Sequence, residues 1–235
     1  MGVANFSQKK ILLIRFSSFG DVTQCLSVPT RLKELAPHGA LHWAVRSDFV
    51  ELVQGHPFVD HIWSLDRGQG LRGLWQLIQK LRAENYTHIY DAHNNLRSWI
   101  ICLFLMPPLA LGRLFSPPVL LRKSQKRWQR FLLFRFRINR FEQPFSGQRD
   151  LLEPLTAWGL SKELPPPPQL TINSEALKST QQILSFLHNN AFICLAPSAA
   201  YPLKRWPLAH WQGLIVQLLL QWPEKKNSYF GRARG

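Results

Sequence analysis

The sequence predicts an α/β fold in which a doubly wound parallel sheet is covered by helices on both faces. Short apolar runs alternate with segments of helical period over residues 10–91, and the connections between runs are long enough for parallel crossovers. The composition agrees, since 46% of the 235 residues are hydrophobic and only 18% are charged. That balance is typical of a packed globular protein and excludes a mainly disordered chain.

Hydrophobic periodicity places four strands and the helices between them. Apolar runs of strand length lie at 11–16, 41–45, 62–65 and 88–90. Helical periods predict helices from the first loop to about Ala36, over 48–54 and over 71–81. Pro29 lies inside the first of these helices and predicts either a kink or a later helix start.

Four consecutive prolines at 165–168 predict a stiff linker, because such a run fits neither a helix nor a central strand. A first domain is therefore expected over 1–164 and a second over 169–221. The residues 222–235 show no periodicity and are expected to form an aberrant tail.

The predicted second domain holds few elements. Strands are expected at 170–172 and 192–196, and helices from Ser174 to about His188 and from Pro207 to about Gln221. Two strands do not make a sheet that is stable alone, so this domain is expected to be incomplete.

The charge balance is strongly basic, with 29 lysines and arginines against 14 acids and a formal net charge of +15. An anionic partner or surface is expected from such an excess. No acid lies between Asp91 and Glu142, and aromatic residues are interleaved with the cations of that stretch. The cations are Arg97, Arg113, Arg122, Lys123, Lys126, Arg127, Arg130, Arg135, Arg137 and Arg140. This basic stretch suits a membrane surface, a phosphorylated glycolipid or nucleic acid, or else it is a solvated helix face.

The three cysteines and the longest apolar run of the sequence indicate the cellular compartment of the protein. Cys25, Cys102 and Cys194 are odd in number and far apart, which favours neither a disulfide framework nor a zinc site. The longest apolar run, 99–111, is broken by two prolines and is too short to span a bilayer. The expectation is a soluble cytoplasmic protein without a signal peptide.

The first polar loop, 17–21, follows the first strand. Its small residues Ser17, Ser18 and Gly20 allow a ligand to approach the backbone. Asp21 either acts as a general base toward a ligand hydroxyl or caps the following helix. The loop has neither the glycine spacing of a dinucleotide site nor a Gly-Lys-Ser/Thr phosphate loop.

A second polar cluster, 91–98, follows the fourth strand and opens a helix. His93 and Asn95 are candidates to hydrogen-bond a sugar, and Arg97 is a candidate to hold an anionic group. The alternative is a structural turn in which Asn95 caps the helix and Asp91 pairs with Arg97.

A third loop, 196–207, joins a predicted strand end to a helix start. Lys204 and Arg205 are placed to offset charge on a diphosphate, together with backbone N–H groups at the helix start. The alternative is a surface loop in which Trp206 is a packing anchor.

In this order along the chain, these segments resemble the heptosyltransferase family, glycosyltransferase family nine, which builds the inner core of lipopolysaccharide. The resemblance rests on residues 14–22, 57–60, 90–98, 110–113, 195–199 and 204–207. It implies a GT-B fold of two Rossmann-like domains, with the acceptor on the first and an ADP-heptose donor on the second. It also implies inverting transfer without a tightly bound cofactor or metal, with Asp21 as base and Lys204 stabilising the leaving diphosphate.

The resemblance also assigns binding residues and partners. Acceptor binding would involve Ser17, Ser18, Gly20, His93, Asn95, Arg97, Arg122 and Lys123. Donor phosphate binding would involve Ser198, Lys204 and Arg205. The implied partners are a phosphorylated lipopolysaccharide core acceptor and a nucleotide sugar. The basic stretch suits such an acceptor at the surface of the inner membrane, so a peripheral association with that membrane is also expected. Nucleic acid is not expected, because no nucleic-acid motif accompanies the charge.

The C-terminal end departs from the family pattern. Members continue for about another hundred residues, enough to complete a second domain, and carry an Asp-Ser-Gly-x-x-His donor motif that this sequence lacks. The expectation is a C-terminally truncated transferase, whose tail reads as disordered or out of frame and whose activity is in doubt. The alternative is a non-catalytic module that binds an anionic glycolipid or membrane surface.

Overall fold

The computed structural model describes residues 9–106, 117–166, 170–172, 174–185, 193–197, 199 and 202–222. The chain divides into two compact units, Met1–Asn173 and Ser174–Gly235. Within the described ranges, no helix is both long and apolar enough to cross a membrane.

The first unit is built on a five-stranded parallel sheet of order β3-β2-β1-β4-β5. The strands are β1 (Lys10–Ile14), β2 (Ala40–Arg46), β3 (His61–Leu65), β4 (His88–Asp91) and β5 (Val119–Arg122). The predicted doubly wound sheet is confirmed, and so are the four predicted strands, to within two residues at each end. Strand β5 was not predicted.

Helices connect and cover the strands of the first unit. They are α1 (Phe19–Cys25), α2 (Ser27–Leu35), α3 (Val50–Val53), α4 (Gly70–Ala83), α5 (Leu96–Leu105), α6 (Arg127–Phe136) and α7 (Gly147–Leu152). Short 3₁₀ turns lie at Ser47–Phe49, Arg67–Gln69 and Glu153–Trp158. The helix expected over 48–54 is therefore a 3₁₀ turn followed by the short α3.

The break between α1 and α2 resolves the position of Pro29. The helical path is interrupted at Leu26, and α2 begins at Ser27. Pro29 therefore falls in the first turn of α2, where its missing N–H costs no intrahelical hydrogen bond. The predicted later start is not observed, because the chain is already helical from Phe19; the helical path is instead interrupted at Leu26, three residues before Pro29.

The core lies in two layers, one on each face of the sheet. Ile11 and Leu13 of β1 pack on the side covered by α1 and α2. Leu12 and Ile14 pack on the side covered by α4 and α5. Because the central strand is buried on both faces, its sequence is a continuous apolar run rather than an alternating one.

Helix α7 and the turn after it return to the first core layer. Leu151, Leu152 and Leu155 are buried there, and the hydroxyl of Tyr90 on β4 donates to the Leu151 carbonyl oxygen over 2.5 Å. This contact holds the C-terminal end of α7 beside the carboxyl end of β4.

The second unit contains α8 (Ser174–Ser185), a 3₁₀ turn at Pro202–Lys204 and α9 (Leu208–Gln221). The strands expected at 170–172, at the end of the first unit, and at 192–196 are wrong for their described residues, which have no regular structure. Ile172 and Ile193 are at least half exposed, and an apolar run forms a strand only where a partner strand completes its hydrogen bonds. Phe192 and the expected tail after Trp222 lie outside the described residues.

Candidate functional site

The candidate site lies at the carboxyl ends of β1 and β4. These strands are neighbours, with Ile14 paired to Asp91 at their ends. The chain leaves β1 toward β2 on one side, whereas β4 and β5 lie on the other side. Such a reversal of strand order opens a crevice at which α/β proteins bind ligands.

Asp21 lies in the first turn of α1, at the edge of this crevice. Its Oδ2 accepts hydrogen bonds from the Ser18 backbone N–H over 3.1 Å and from the Ser18 hydroxyl over 2.9 Å. The same oxygen is 2.7 Å from Nη2 of Arg15, and the side chain is 47% exposed. The capping interpretation is thus confirmed, but the hydrogen bonds of the cap use only Oδ2. Within the described part of the chain, Oδ1 receives no hydrogen bond.

The surroundings of Asp21 favour its ionised form. Partial burial by itself would raise the pKa of the carboxyl group. The hydrogen bond from the Ser18 backbone and the charge of Arg15 outweigh that effect and hold the pKa below its ordinary value. Asp21 is therefore a carboxylate at neutral pH and able to accept a proton.

The rest of the loop 17–21 is open to a ligand. Ser18 and Gly20 are exposed, and Ser17 is half-buried. A Cβ added at Gly20 would meet no atom within 4 Å, so glycine is not required there by packing.

Arg15 joins the two halves of the site, a role that the sequence reasoning did not assign to it. It is 8% exposed, and its Nη1 donates to the carbonyl oxygen of Ala92 over 2.6 Å. One guanidinium therefore links Asp21 to the loop after β4. The available signal was an arginine at the end of an otherwise apolar run, because such a charge needs a partner when buried.

Asp91 organises the loop after β4. It is fully buried. Its Oδ1 accepts from the backbone N–H groups of His93 (3.1 Å) and Asn94 (2.8 Å). Its Oδ2 accepts from the Ser98 hydroxyl and from Nε of Arg122, each over 2.9 Å. This carboxylate has four donors and is a structural hub.

The pairing of Asp91 with Arg97 in the structural-turn alternative is wrong, because the register of β4 with β5 places Arg122 directly beside Asp91. Arg97 is exposed at the start of α5 and makes no ion pair within the described ranges. The capping prediction for Asn95 is confirmed, since its Oδ1 accepts from the Ser98 N–H over 3.0 Å.

His93 lines the site as a neutral side chain. Its ring packs edge-on against Phe16 with centroids 5.6 Å apart. Burial and, to a lesser extent, the charge of Arg15 lower the pKa of His93 to about 4. The ring nitrogen Nδ1 is buried and makes no hydrogen bond among the described residues.

We expect an NMR titration of the His93 imidazole to give a midpoint near the value of about 4 set by burial and Arg15. The unfolded chain would take up this proton at about pH 6.5. Acidification between these two values therefore favours unfolding, and this part of the stability is present only above them. In the Arg15→Met variant the midpoint should rise. An ordinary midpoint in the unmodified chain would contradict the burial of this ring.

The cations after β5 are held by acids from α7 and from the 3₁₀ turn that follows it. Asp150 is 2.7 Å from Nζ of Lys123 and 2.8 Å from Nζ of Lys126, and Lys126 also lies 2.5 Å from Glu153. The guanidinium of Arg122 lies 3.8 Å above the ring of Trp99. The predicted acceptor-binding residues Arg122 and Lys123 are thus both ion-paired in the structure.

A surface cleft of about 520 Å³ opens among these charges. It is lined by Arg122, Ser124, Lys126, Arg127, Trp128, Gln129, Asp150, Glu153 and Pro154. In the described part of the chain, no cluster of three or more His, Cys, Asp or Glu side chains is suited to hold a metal ion.

The predicted donor residues belong to the second unit. Lys204 ends the 3₁₀ turn Pro202–Lys204, and Nε of Arg205 donates to the Ala199 carbonyl oxygen over 2.7 Å. The Trp206 ring stacks on His210 with centroids 5.4 Å apart and meets Trp211 edge-on. Ser198 lies outside the described residues.

A parallel α/β unit with an oriented carboxylate at its switch point is typical of enzymes that bind small ligands there. A comparison with family models makes the class specific. Residues 74–221, more than half of the chain, match the model of glycosyltransferase family 9 (heptosyltransferase). The chain belongs to this family.

Individual relatives agree with this assignment. The chain is 25% identical over 222 residues to lipopolysaccharide heptosyltransferase 1 of Pseudomonas aeruginosa, an alignment covering 89% of this chain and 58% of the relative. The crystal structure of the family 9 glycosyltransferase of Veillonella parvula matches with a TM-score of 0.64 at 18% identity, over 89% of this chain and 60% of that one. The structure of Escherichia coli heptosyltransferase WaaC with ADP matches with a TM-score of 0.57 at 21% identity, over 91% of this chain and 64% of that one.

These matches confirm the predicted family and its α/β fold of GT-B type. The chain spans somewhat more than half the length of the P. aeruginosa relative.

Proposed function

We propose that the chain is a glycosyltransferase of lipopolysaccharide core biosynthesis. The reaction is an inverting transfer of heptose from ADP-heptose to a phosphorylated glycolipid acceptor. The observation that carries the proposal is the Asp21 carboxylate, ionised, held through Oδ2 and available through Oδ1 at the switch point of the sheet. Membership of family 9 supports the reaction type.

The chemistry assigned to Asp21 is general base catalysis. Its carboxylate takes the proton from an acceptor hydroxyl, and the oxygen of that hydroxyl attacks the anomeric carbon of the donor. The new glycosidic bond forms as the bond to the diphosphate breaks on the opposite side, so that ADP leaves with the bond electrons. The fixed position of the carboxylate lowers the barrier, because it is oriented before the acceptor binds.

The acceptor is assigned to the rim of the same crevice. Neutral His93 and the exposed hydroxyl of Ser18 suit the hydroxyl groups of a sugar. Arg97, exposed and without an ion pair in the described ranges, suits a phosphate. Ser17, Gly20, Asn95, Arg122 and Lys123 are assigned to the same acceptor.

The donor is assigned to the second unit. Lys204 and Arg205 offset the charge that grows on the departing diphosphate, and Ser198 completes the phosphate contacts. The E. coli relative was solved with ADP, which supports a nucleotide sugar as the substrate. We assign no tightly bound cofactor or metal. We place the reaction in the cytoplasm, with the protein bound peripherally to the inner membrane.

The test is a transfer assay with the purified 235-residue chain, ADP-heptose and lipopolysaccharide that lacks core heptose. The expected result is release of ADP together with an acceptor whose mass has grown by one heptose. Saturable binding of the acceptor without either product would overturn the catalytic proposal and favour the non-catalytic binding module. Absence of both binding and turnover would overturn both functions.

A further inference from the structure

Helix α6 presents large apolar side chains to solvent. None of its residues is buried. Trp128 is 69% exposed and Phe134 is 74% exposed, and Phe131 and Phe136 are each about half exposed. Burial of an aromatic side chain is strongly favourable, so a helix that leaves this many exposed has a surface that gains from a partner.

The arginines of α6 and the segment after it lack acidic partners. Within the described ranges, no ion pair is formed by Arg127, Arg130, Arg135, Arg137 or Arg140. The neighbouring cations at the site, by contrast, are neutralised by Asp91, Asp150 and Glu153. In the described part of the basic stretch, all the arginines without an ion pair except Arg97 therefore lie on α6 and at 137–140.

Aromatic and cationic side chains share one side of α6. At about 100° per residue, Trp128, Phe131 and Phe134 fall within an arc of about 120°. Arg127 and Arg135 project within the same arc, and Arg130 lies about 40° beyond its edge. The half-buried Leu132 and Leu133 lie outside it. The outward side thus offers apolar rings and positive charge together.

We propose that α6 and residues 137–140 dock on the surface of an anionic lipid bilayer. Aromatic rings enter the headgroup region, while the arginines bind lipid phosphates and keep their charged heads at that level. A soluble phosphorylated sugar satisfies the arginines but leaves the rings in water. A bilayer surface takes both kinds of side chain at the same depth, and clusters of four to eight cations are typical of anionic lipid binding.

The docking surface adjoins the cleft described above, because Arg127 and Trp128 line both. Docking through α6 therefore brings the cleft to the level at which a membrane-anchored glycolipid presents its headgroup. This inference extends the proposed function, which supplies the glycolipid. Its test uses vesicles without that glycolipid and no donor, so that either proposal can fail alone.

The experiment measures binding of the full chain to vesicles of phosphatidylcholine, with and without phosphatidylglycerol, by flotation. Binding is expected only with the anionic lipid. The variant Arg127→Gln/Arg130→Gln/Arg135→Gln/Arg137→Gln should bind at least about 100-fold more weakly, since each charge near such a surface contributes about fivefold. The variant Trp128→Ser/Phe134→Ser should lose the binding that persists at high salt, where charge interactions are screened.

Two matched controls separate this surface from general charge and apolarity. Arg67→Gln/Arg72→Gln/Lys80→Gln/Arg82→Gln removes the same charge from exposed cations on and beside α4. Leu71→Ser/Leu103→Ser removes two side chains that are 82% and 71% exposed on α4 and α5. Both controls should bind anionic vesicles nearly as the unmodified chain does.

Three results would overturn the proposal. One is a failure of the unmodified chain to bind phosphatidylglycerol vesicles, and another is an equal loss in the α4 control. The third is displacement of the bound chain by single-stranded DNA at concentrations where free glycerol phosphate has no effect, which would assign α6 to nucleic acid. Thermal melts of all variants check the fold, which should be unchanged because α6 contributes no buried residue.

Discussion

Replacing Asp21 with asparagine is expected to slow heptose transfer by a factor of about 100 to 10,000, the range usual for loss of a general base. Asparagine keeps the size of the side chain and can still accept the hydrogen bonds that Ser18 donates to Oδ2. It cannot take the proton of the attacking hydroxyl. The measurement is the rate of ADP release at saturating donor and acceptor, together with acceptor affinity, which should change little.

Asp48→Asn is the matched control for this variant. Asp48 is likewise an exposed carboxylate, and its Oδ2 is 2.7 Å from Nη2 of Arg46 at the carboxyl end of β2. It lies just beyond the adjacent strand and has no part in the proposed reaction, so its loss should leave the rate nearly unchanged. Equal rates for the Asp21 variant and the unmodified chain would show that the carboxylate only caps α1.

The second large effect is on stability. Asp91→Ala is expected to lower the free energy of unfolding by about 3–5 kcal/mol, the usual cost of removing one partner of a buried ion pair. The change leaves the N–H groups of His93 and Asn94, the Ser98 hydroxyl and Nε of Arg122 without their acceptor. The midpoint of urea unfolding, followed by circular dichroism, measures the loss.

Asp66→Ala provides the comparison for this stability change. Asp66 also accepts from a backbone N–H at a helix start, that of Gly68 over 2.8 Å, but it is exposed. Its loss should cost about 1 kcal/mol or less, as for an exposed cap. If the two variants unfold at the same urea concentration, Asp91 is not the hub that its contacts indicate.

The fold of the first unit could be predicted largely from the sequence because its central strands are buried. Burial on both faces makes β1 and β2 nearly continuous apolar runs, and such runs are visible in a single sequence. Strand β5 has no fully buried residue and ends in an arginine within the basic stretch. Its pattern is that of a charged surface segment, so periodicity did not reveal it.

In the site, contacts between residues close in sequence could be predicted, whereas contacts between distant residues could not. The cap of α5 by Asn95 and the bonds between Asp21 and Ser18 span three residues each, and sequence spacing predicts such contacts well. The pair of Asp91 with Arg122 spans 31 residues and depends on strand register. Without β5, Arg97 is the nearest cation along the chain, so the structural-turn alternative pairs Asp91 with the wrong residue.

The contacts that hold α7 against the sheet affect how the first unit folds. Asp150 holds two lysines that follow β5, and α7 itself is held by the bond from Tyr90 to Leu151. The wall of the cleft is thus assembled from separate segments of the chain, and contacts of large sequence separation slow folding because closing the loop between them costs entropy. The binding surface is therefore not a local module that could fold in advance. Its completion depends on the contacts of Asp150 and Tyr90 across the unit, so a change that breaks these contacts should also displace the residues that line the cleft.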